Sequence, residues 1–295
     1  MPTKRRKIEV HRLTVSGLPA NVGYGPFLVG MRRQRASLKT AVWEHGEKSH
    51  ALFSARIADR RAFLLFMSYT TGHRPDILDT DAFSVQPNPL APAQTGVEWT
   101  HVLGGRVDGR YLLLVEKVQA GIWPGTIEGY LQWLVDASEH EEEEDTISRP
   151  HSAPVTISLE AEPGDDFIER LDSLSRIRSA RLRIVRPNPG WKDLESEVSA
   201  LADDSDAHKA ELLARARPRA SLDRKKGIIG IIRELFHRKE LDFAEIEGTR
   251  GTVPDKFSSQ KLGKHRFLQF PLDERGQVEH AEAWKELTKI HKELE

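Results

Sequence analysis

Four side chains that bind divalent cations lie close together in one short polar stretch. His73, Asp76, Asp79 and Asp81 all fall within residues 72–81. Carboxylate oxygens suit Mg²⁺ or Mn²⁺, so Asp76, Asp79 and Asp81 could hold such an ion beside a sheet. That arrangement would make the chain a metal-dependent nuclease or phosphodiesterase. Aspartate is also common in turns, where it accepts hydrogen bonds from backbone amides, so a polar loop is the simpler interpretation.

His101 is a candidate for proton transfer. It follows Glu98 and Trp99 in a stretch that alternates like a strand. The ordinary pKa of imidazole lies near neutrality, which suits a general base. A histidine that hydrogen-bonds across a hairpin is the common structural alternative.

A second histidine, His280, follows Arg275 with four residues between them. This spacing resembles the active motif of helical ribonucleases of the nucleotidyltransferase-associated type, and the resemblance implies a ribonuclease. That family is all-helical and carries both side chains on one helix, whereas here Gly276 lies between them and a turn precedes the helix. A helix start, with Glu279 and Glu282 near its positive end, is the simpler interpretation.

The better-defined catalytic signatures are missing. No strand is followed by Gly-x-Gly-x-x-Gly, and neither Gly-Lys-Ser/Thr, Gly-x-Ser-x-Gly nor His-Glu-x-x-His occurs. The chain has no cysteine, which excludes disulfides, thiolate zinc sites, iron–sulfur clusters and a cysteine nucleophile. Whether the protein is an enzyme is therefore left open.

Basic residues form several clusters and indicate a surface for phosphates. One guanidinium group can donate to two phosphate oxygens at once, and it can also stack on a base. The arginine clusters therefore favour nucleic acid as the ligand. Four aromatic residues near the clusters could stack on bases, although most aromatic residues belong to the core: Trp43, Phe53, Phe236 and Phe267. A chain with 30% charged residues also exposes many arginines without any ligand. The candidate contacts are Arg32, Arg33, Arg35, Arg215, Arg217, Arg219, Arg224, Lys225 and Lys226.

An acidic segment predicts the boundary between two domains. Residues 139–153 carry six acidic residues and one basic residue, with Pro150 near the end. Like charges repel one another and proline interrupts regular structure, so we expect a solvated linker. The alternative is that this acidic segment binds a basic surface of a partner protein. The predicted organisation is a domain at 1–138, a linker at 139–153 and a domain at 154–295.

The first domain is predicted to be β-rich α+β with a covering helix. A strand over 8–15, hairpins 51–67 and 97–115, and a helix over 126–137 follow from the apolar spacing and the turn residues. Glycine and proline between residues 17 and 30 predict a long loop.

The second domain is predicted to be an α/β sandwich with alternating strands and helices. Strands are expected at 155–159, 180–185, 243–248 and 267–270, and helices at 166–177, 191–202, 227–236 and 281–294, while 207–216 fits either. Alternation favours parallel neighbours but does not give the strand order.

The order of the two halves also carries a resemblance. A β-rich half with Tyr111–Glu116 and Ile127–Leu131, followed by an α/β half, resembles uncharacterised bacterial proteins from defence islands and mobile elements. The resemblance implies a role in phage defence alongside neighbouring gene products. It supplies no diagnostic motif and no catalytic residue.

These observations favour a cytoplasmic nucleic-acid-binding protein without an evident catalytic motif or cofactor. The longest apolar runs are far shorter than the roughly 20 residues of a membrane span, and no signal peptide is apparent. The alternatives are a nuclease or phosphodiesterase that uses Mg²⁺ or Mn²⁺, and a subunit that binds another protein through the acidic segment and the terminal helix. The choice between DNA and RNA stays open.

Overall fold

The computed structural model describes residues 2–19, 21–34, 41–70, 77–79, 84–86, 88–91, 94–143, 154–185 and 209–295. The chain is mixed α+β, as the sequence predicts, although the finer predicted layout is not confirmed. The described helices are α1 (Tyr24–Gln34), α2 (Pro124–Glu143), α3 (Asp166–Ser173), α4 (Gly227–His237) and α5 (His280–Leu294).

The larger sheet has eight strands within the described residues, and all of its pairs are antiparallel. Its order is β14 (His265–Pro271), β1 (Thr3–Ser16), β8 (Arg110–Lys117), β7 (Glu98–Val107), β4 (Arg61–Tyr69), β3 (Lys48–Ala58) and β2 (Val42–His45). The remaining strand, β9 (Thr156–Ala161), pairs with the second half of β1, on residues 11–16. A separate ribbon joins β5 (Ile77–Asp79) to β6 (Ser84–Gln86).

The smaller sheet has four strands in the order β11 (Lys209–Arg215), β10 (Arg176–Val185), β12 (Phe243–Arg250) and β13 (Val253–Ser258). These pairs are also antiparallel, so the expectation of parallel neighbours is wrong. A short hairpin explains one of these pairs, because β12 and β13 are joined by only two residues, which permits no crossover. Helices α3 and α4 cover one face of this sheet, with Phe167, Leu171, Ile229 and Ile232 fully buried.

Alternation along β1 explains how the large sheet is buried on both faces. Leu13 and Val15 belong to the core beneath α1 and α2, whereas Ile8 and Val10 belong to the core beneath α5. The predicted apolar stripe of α5 packs in the second of these cores, where Leu287 is fully buried. Helix α5 therefore covers its own sheet.

Both predicted hairpins of the large sheet are present. Strands β3 and β4 meet at Asp59 and Arg60, whose φ angles are 49° and 60°, and β7 and β8 meet at Asp108 and Gly109, with φ of 48° and 78°. Positive φ at both central residues is the signature of the two-residue turn that matches strand twist. Turn chemistry thus identified these hairpins correctly.

Several local predictions need correction. Helix α1 occupies part of the predicted loop at 17–30. Pro26 is tolerated in its first turn, and the side chains of Leu28 and Met31, on the inner side of the helix, are buried in the core. The helix predicted over 166–177 ends at Ser173, because Arg176 already pairs in β10. Segment 207–216 contains a strand, and the helix predicted over 191–202 lies outside the described residues.

Elements from both sides of residues 139–153 contribute to the large sheet. Strands β9 and β14 pair with β1, and helix α2 continues through Glu143, whereas residues 144–153 lie outside the described part. The division at 1–138, 139–153 and 154–295 stays a prediction.

A buried ion pair joins the large sheet to the segment that enters the small one. The Arg12 guanidinium on β1 is paired with the Asp242 carboxylate just before β12, and it also donates to the Lys239 carbonyl at 3.1 Å. The two charged side chains are only 8% and 2% exposed. Both charges are therefore shielded from water.

Candidate nucleic-acid interface

One face of the large sheet carries exposed or half-buried side chains at the beginning of β1. The face that holds Leu13 and Val15 in the core continues along the strand to Lys7 and Arg5, and Arg5 is exposed. Lys7 lies opposite Phe267 of β14 and opposite Lys117 of β8. Directly opposed residues of antiparallel strands share a face, and strands lie about 4.8 Å apart, so these side chains form one row across three strands.

Two aromatic side chains are exposed in this row, and each contacts a cation. Phe267 is 52% exposed and lies 4.1 Å from the Arg5 guanidinium carbon, measured to the ring centroid. Trp123 is 49% exposed and lies 5.2 Å from Lys117 Nζ. The Trp123 indole is held in place because its Nε1 donates to the Val118 carbonyl at 3.1 Å. We call Arg5, Lys7, Lys117, Trp123 and Phe267 the basic row.

The Glu9 carboxylate lies beside the basic row and fixes both of its lysines. Glu9 Oε1 accepts hydrogen bonds from Lys7 Nζ at 2.9 Å and from Lys117 Nζ at 3.2 Å. The His11 side chain, followed by the lysines, holds the pKa of Glu9 well below its ordinary value, so this carboxylate is charged at neutral pH. Three cations against one anion leave the row with a net charge of about +2.

The beginning of α2 adds positive potential beside Trp123. The helix starts at Pro124, and its first turn contains no acidic residue. Unpaired backbone N–H groups and the aligned peptide dipoles make a helix N-terminus favourable for anions. Cations, exposed aromatic rings and a helix N-terminus therefore occur together on one surface.

The residues singled out from the sequence lie elsewhere. Arg32 and Arg33 are at the end of α1, where Arg32 Nε donates to the Phe53 carbonyl at 3.2 Å, and Arg35 lies outside the described residues. Arg215 ends β11, and Arg217 and Arg219 follow it in an exposed turn. The described positions lie on helix α1 and on or just after β11, not in the basic row.

The third predicted cluster has a partly structural role. The Arg224 guanidinium donates to the Asp172 carbonyl at 3.1 Å and to the Leu174 carbonyl, which ties the loop before α4 to the end of α3. The Lys225 and Lys226 side chains are exposed, but their backbone N–H groups already donate to Asp223 Oδ1. Only the lysine side chains remain available to a phosphate.

The outer face of the small sheet carries arginines that sequence reasoning did not single out. A bulge between Ile177 and Ser179 turns Ile177 inward and leaves Arg178 exposed, and Arg181 is exposed as well. The alternation of arginine with apolar residues over 176–184 was the available signal. Glu245 and Glu247 on the neighbouring strand share the outer face, so it is not uniformly basic.

The predicted metal ligands give no described site. His73, Asp76 and Asp81 lie outside the described residues, and Asp79 is described only as part of the backbone of β5. Across the described ranges, no group of three His, Cys, Asp or Glu residues is placed to hold a metal ion.

The chain matches no protein-family model and no curated protein. Among the helices described above, none is both long and apolar enough to cross a membrane.

Proposed function

We propose that this protein binds single-stranded nucleic acid on the basic row. The observation that carries the proposal is that Phe267 and Trp123 are each about half exposed on one sheet face and each contact a cation. An exposed ring is hydrophobic surface that folding leaves in water, and a base that stacks on it removes that surface from water.

Single strands suit this surface better than duplexes. Bases of a single strand are free to stack on aromatic rings, with about 1–3 kcal/mol per base, while lysine and arginine follow the phosphates. The basic row offers both kinds of contact within one face: rings at Phe267 and Trp123, and cations at Arg5, Lys7 and Lys117. Stacking does not distinguish DNA from RNA, so the binding surface alone accepts either.

The positions identified from the sequence extend this proposal. Arg217, Arg219, Lys225 and Lys226 are exposed, and they are proposed as additional phosphate contacts. A cytoplasmic role in phage defence also belongs to the proposal and rests on the sequence resemblance alone.

The stacking contact is tested by Phe267→Ala, with Phe53→Ala as the matched control. Phe53 is 43% exposed on β3, and its ring contacts Trp99 with the centroids 5.0 Å apart. Loss of one stacked base should raise the Kd for single-stranded oligonucleotides about tenfold in the Phe267 variant. The Phe53 control should change the Kd less than about twofold.

Fluorescence anisotropy with labelled single- and double-stranded DNA and RNA measures these affinities. Binding should weaken sharply between about 50 mM and about 200 mM salt, because phosphate contacts release counterions. Equal affinity of the Phe267 and Phe53 variants would contradict stacking at this position. Absence of salt-sensitive binding to every oligonucleotide would contradict the proposed function.

A further inference from the structure

A cavity of about 900 Å³ lies beside the start of α1 and the turns of two hairpins in the large sheet. The turn between β3 and β4 supplies Asp59 and Arg60, and β7 supplies Arg106 just before its own turn. Pockets that hold small molecules usually measure about 300–1000 Å³. The cavity therefore has the size of a small-molecule site.

Two arginines of the lining are available to an anion. Arg60 and Arg106 are exposed, and neither forms an ion pair with a carboxylate of the described residues. Arg61, in contrast, is buried, and its guanidinium pairs with the Glu295 carboxylate at 2.8 Å. The cations at positions 60 and 106 thus remain for a ligand, while the one at position 61 is already neutralised.

The lining as a whole is positive. Its described residues include three arginines and two carboxylates, the second of which is Asp59, so the net charge is about +1. Burial, followed by Arg61, lowers the pKa of His291, which favours the neutral imidazole. The first turn of α1 contains no acidic residue, and the N–H groups at a helix N-terminus favour anions.

The Tyr111 hydroxyl adds a neutral donor beside the start of α1. Tyr111 lines the cavity and is 7% exposed, and its hydroxyl has no hydrogen-bond partner among the described residues. Gly25 leaves room for this group, because a Cβ there would lie 3.2 Å from the hydroxyl oxygen. Burial raises the pKa of Tyr111, so the proton is retained. A buried donor without a partner is costly, which favours any ligand oxygen that reaches it.

Apolar side chains form another part of the lining. Ile57 is 46% exposed, and Pro26 is exposed as well. The Tyr24 ring lies beside them and packs edge-on against Tyr111, with the ring centroids 5.5 Å apart. Tyr24 is fixed, because its hydroxyl donates to the Val15 carbonyl at 3.3 Å. This wall offers apolar surface that a bound ring would remove from water.

We propose that this cavity binds a nucleoside phosphate. Its phosphate lies on Arg60 and Arg106, because guanidinium groups donate to phosphate oxygens in pairs. Its base lies against Ile57 and Pro26. A free phosphate ion would leave that apolar wall in water, and an uncharged nucleoside would leave the two guanidinium groups without an anion.

The site lies well apart from the basic row. Tyr111 is opposite Leu13 on β1, whereas Lys117 is opposite Lys7, six residues earlier. This separation corresponds to about 20 Å along the strand. Nucleotide binding in the cavity therefore does not depend on the proposed function.

Isothermal titration calorimetry on the full chain tests the class of ligand. The probes are AMP and UMP, with ribose 5-phosphate, adenosine and inorganic phosphate as their parts. The tighter of the two nucleotides should bind at least about tenfold more tightly than each of these parts, because it alone contacts both the arginines and the apolar wall.

Two substitutions in the lining should change the affinity in opposite directions. Arg106→Ala should raise the Kd for the nucleotide at least about tenfold, since a hydrogen-bonded charge is lost. Asp59→Asn should lower the Kd about two- to fivefold, because it removes a negative charge near the phosphate. Asparagine also accepts the φ of 49° at this turn position. Arg181→Ala, an exposed arginine on β10, is the matched control and should leave the Kd unchanged.

The outcomes separate this site from the basic row. Absence of binding by both nucleotides, or equal affinity for a nucleotide and any one of its parts, would overturn the proposal. Equal Kd values for Arg106→Ala and Arg181→Ala would do the same. Nucleotide binding that is lost in Phe267→Ala would move the ligand to the basic row. Nucleotide binding without oligonucleotide binding would contradict the proposed function alone.

Discussion

Reversing the three cations of the basic row, with Arg5→Glu, Lys7→Glu and Lys117→Glu together, is expected to weaken single-strand binding at least about 100-fold. Phosphate contacts supply most of the affinity in such complexes, and the three new carboxylates would repel the strand. The slope of log K against log salt should also fall by about two, since each of the three cations that meets a phosphate on a single strand contributes about 0.7. Anisotropy across a salt series measures both quantities.

Two matched triple variants make this result specific. Lys285→Glu, Lys289→Glu and Lys292→Glu on α5 change the net charge equally and leave the basic row intact. Arg217→Glu, Arg219→Glu and Lys225→Glu test the loop that the sequence favours. If the loop variant loses affinity while the row variant keeps it, the interface belongs to the small sheet. In the Glu variant, Glu9 lies among new carboxylates, and this repulsion could unfold the protein. If it does, a row variant with Gln at all three positions replaces it.

Asp242→Ala is expected to lower the free energy of unfolding by about 3–5 kcal/mol. The substitution leaves the Arg12 guanidinium buried without its counter-charge, and the Lys239 carbonyl alone does not replace it. The double variant Arg12→Met with Asp242→Leu should recover most of this loss, because it removes both buried charges and fills similar volume.

Urea unfolding at constant pH gives the free energies for this comparison. If Asp242→Ala unfolds at the same urea concentration as the unaltered protein, the pair is solvated and does not hold the large sheet to β12. If the double variant is as unstable as Asp242→Ala, packing at this position matters more than charge.

Local chemistry predicted the β-rich part of the fold well. The hairpins at residues 51–67 and 97–115 are encoded by turn residues and by strands that are contiguous in sequence. The position of β14 could not be predicted in this way, because it pairs with β1 across more than 250 residues of chain. Helix α1 was missed since glycine and proline at its start suggested a loop, whereas burial of Leu28 and Met31 stabilises the helix.

The candidate interface was only partly visible in the sequence. Phe267 was considered for stacking, but nothing local distinguishes it from a core aromatic residue such as Phe270, which is fully buried. The distinction arises from alternation on β14, which places Phe267 outward and Phe270 inward. Lys7 and Lys117 come together only when β1 and β8 pair. Counting charges by segment could not reveal that row.

The hydrogen-bonded side chains of Glu116, His101 and His280 illustrate the same limit for buried polar groups. In the sequence, His101 was identified alone and His280 only through its spacing from Arg275, and each has a reasonable structural explanation by itself. They lie 179 residues apart in sequence, so no motif of local spacing connects them. The pairing of β7 with β8 brings His101 to Glu116, and the docking of α5 onto β7 brings His280 to His101.

Photochemical cross-linking to a single strand tests the proposed interface most directly. Oligonucleotides with photoreactive bases, irradiated on the protein and digested, identify by mass spectrometry the peptides that contact bases. We expect cross-links at Phe267 and Trp123, because stacked bases lie against those rings. Cross-links confined to residues 215–226, with none at Phe267 or Trp123, would contradict binding on the basic row.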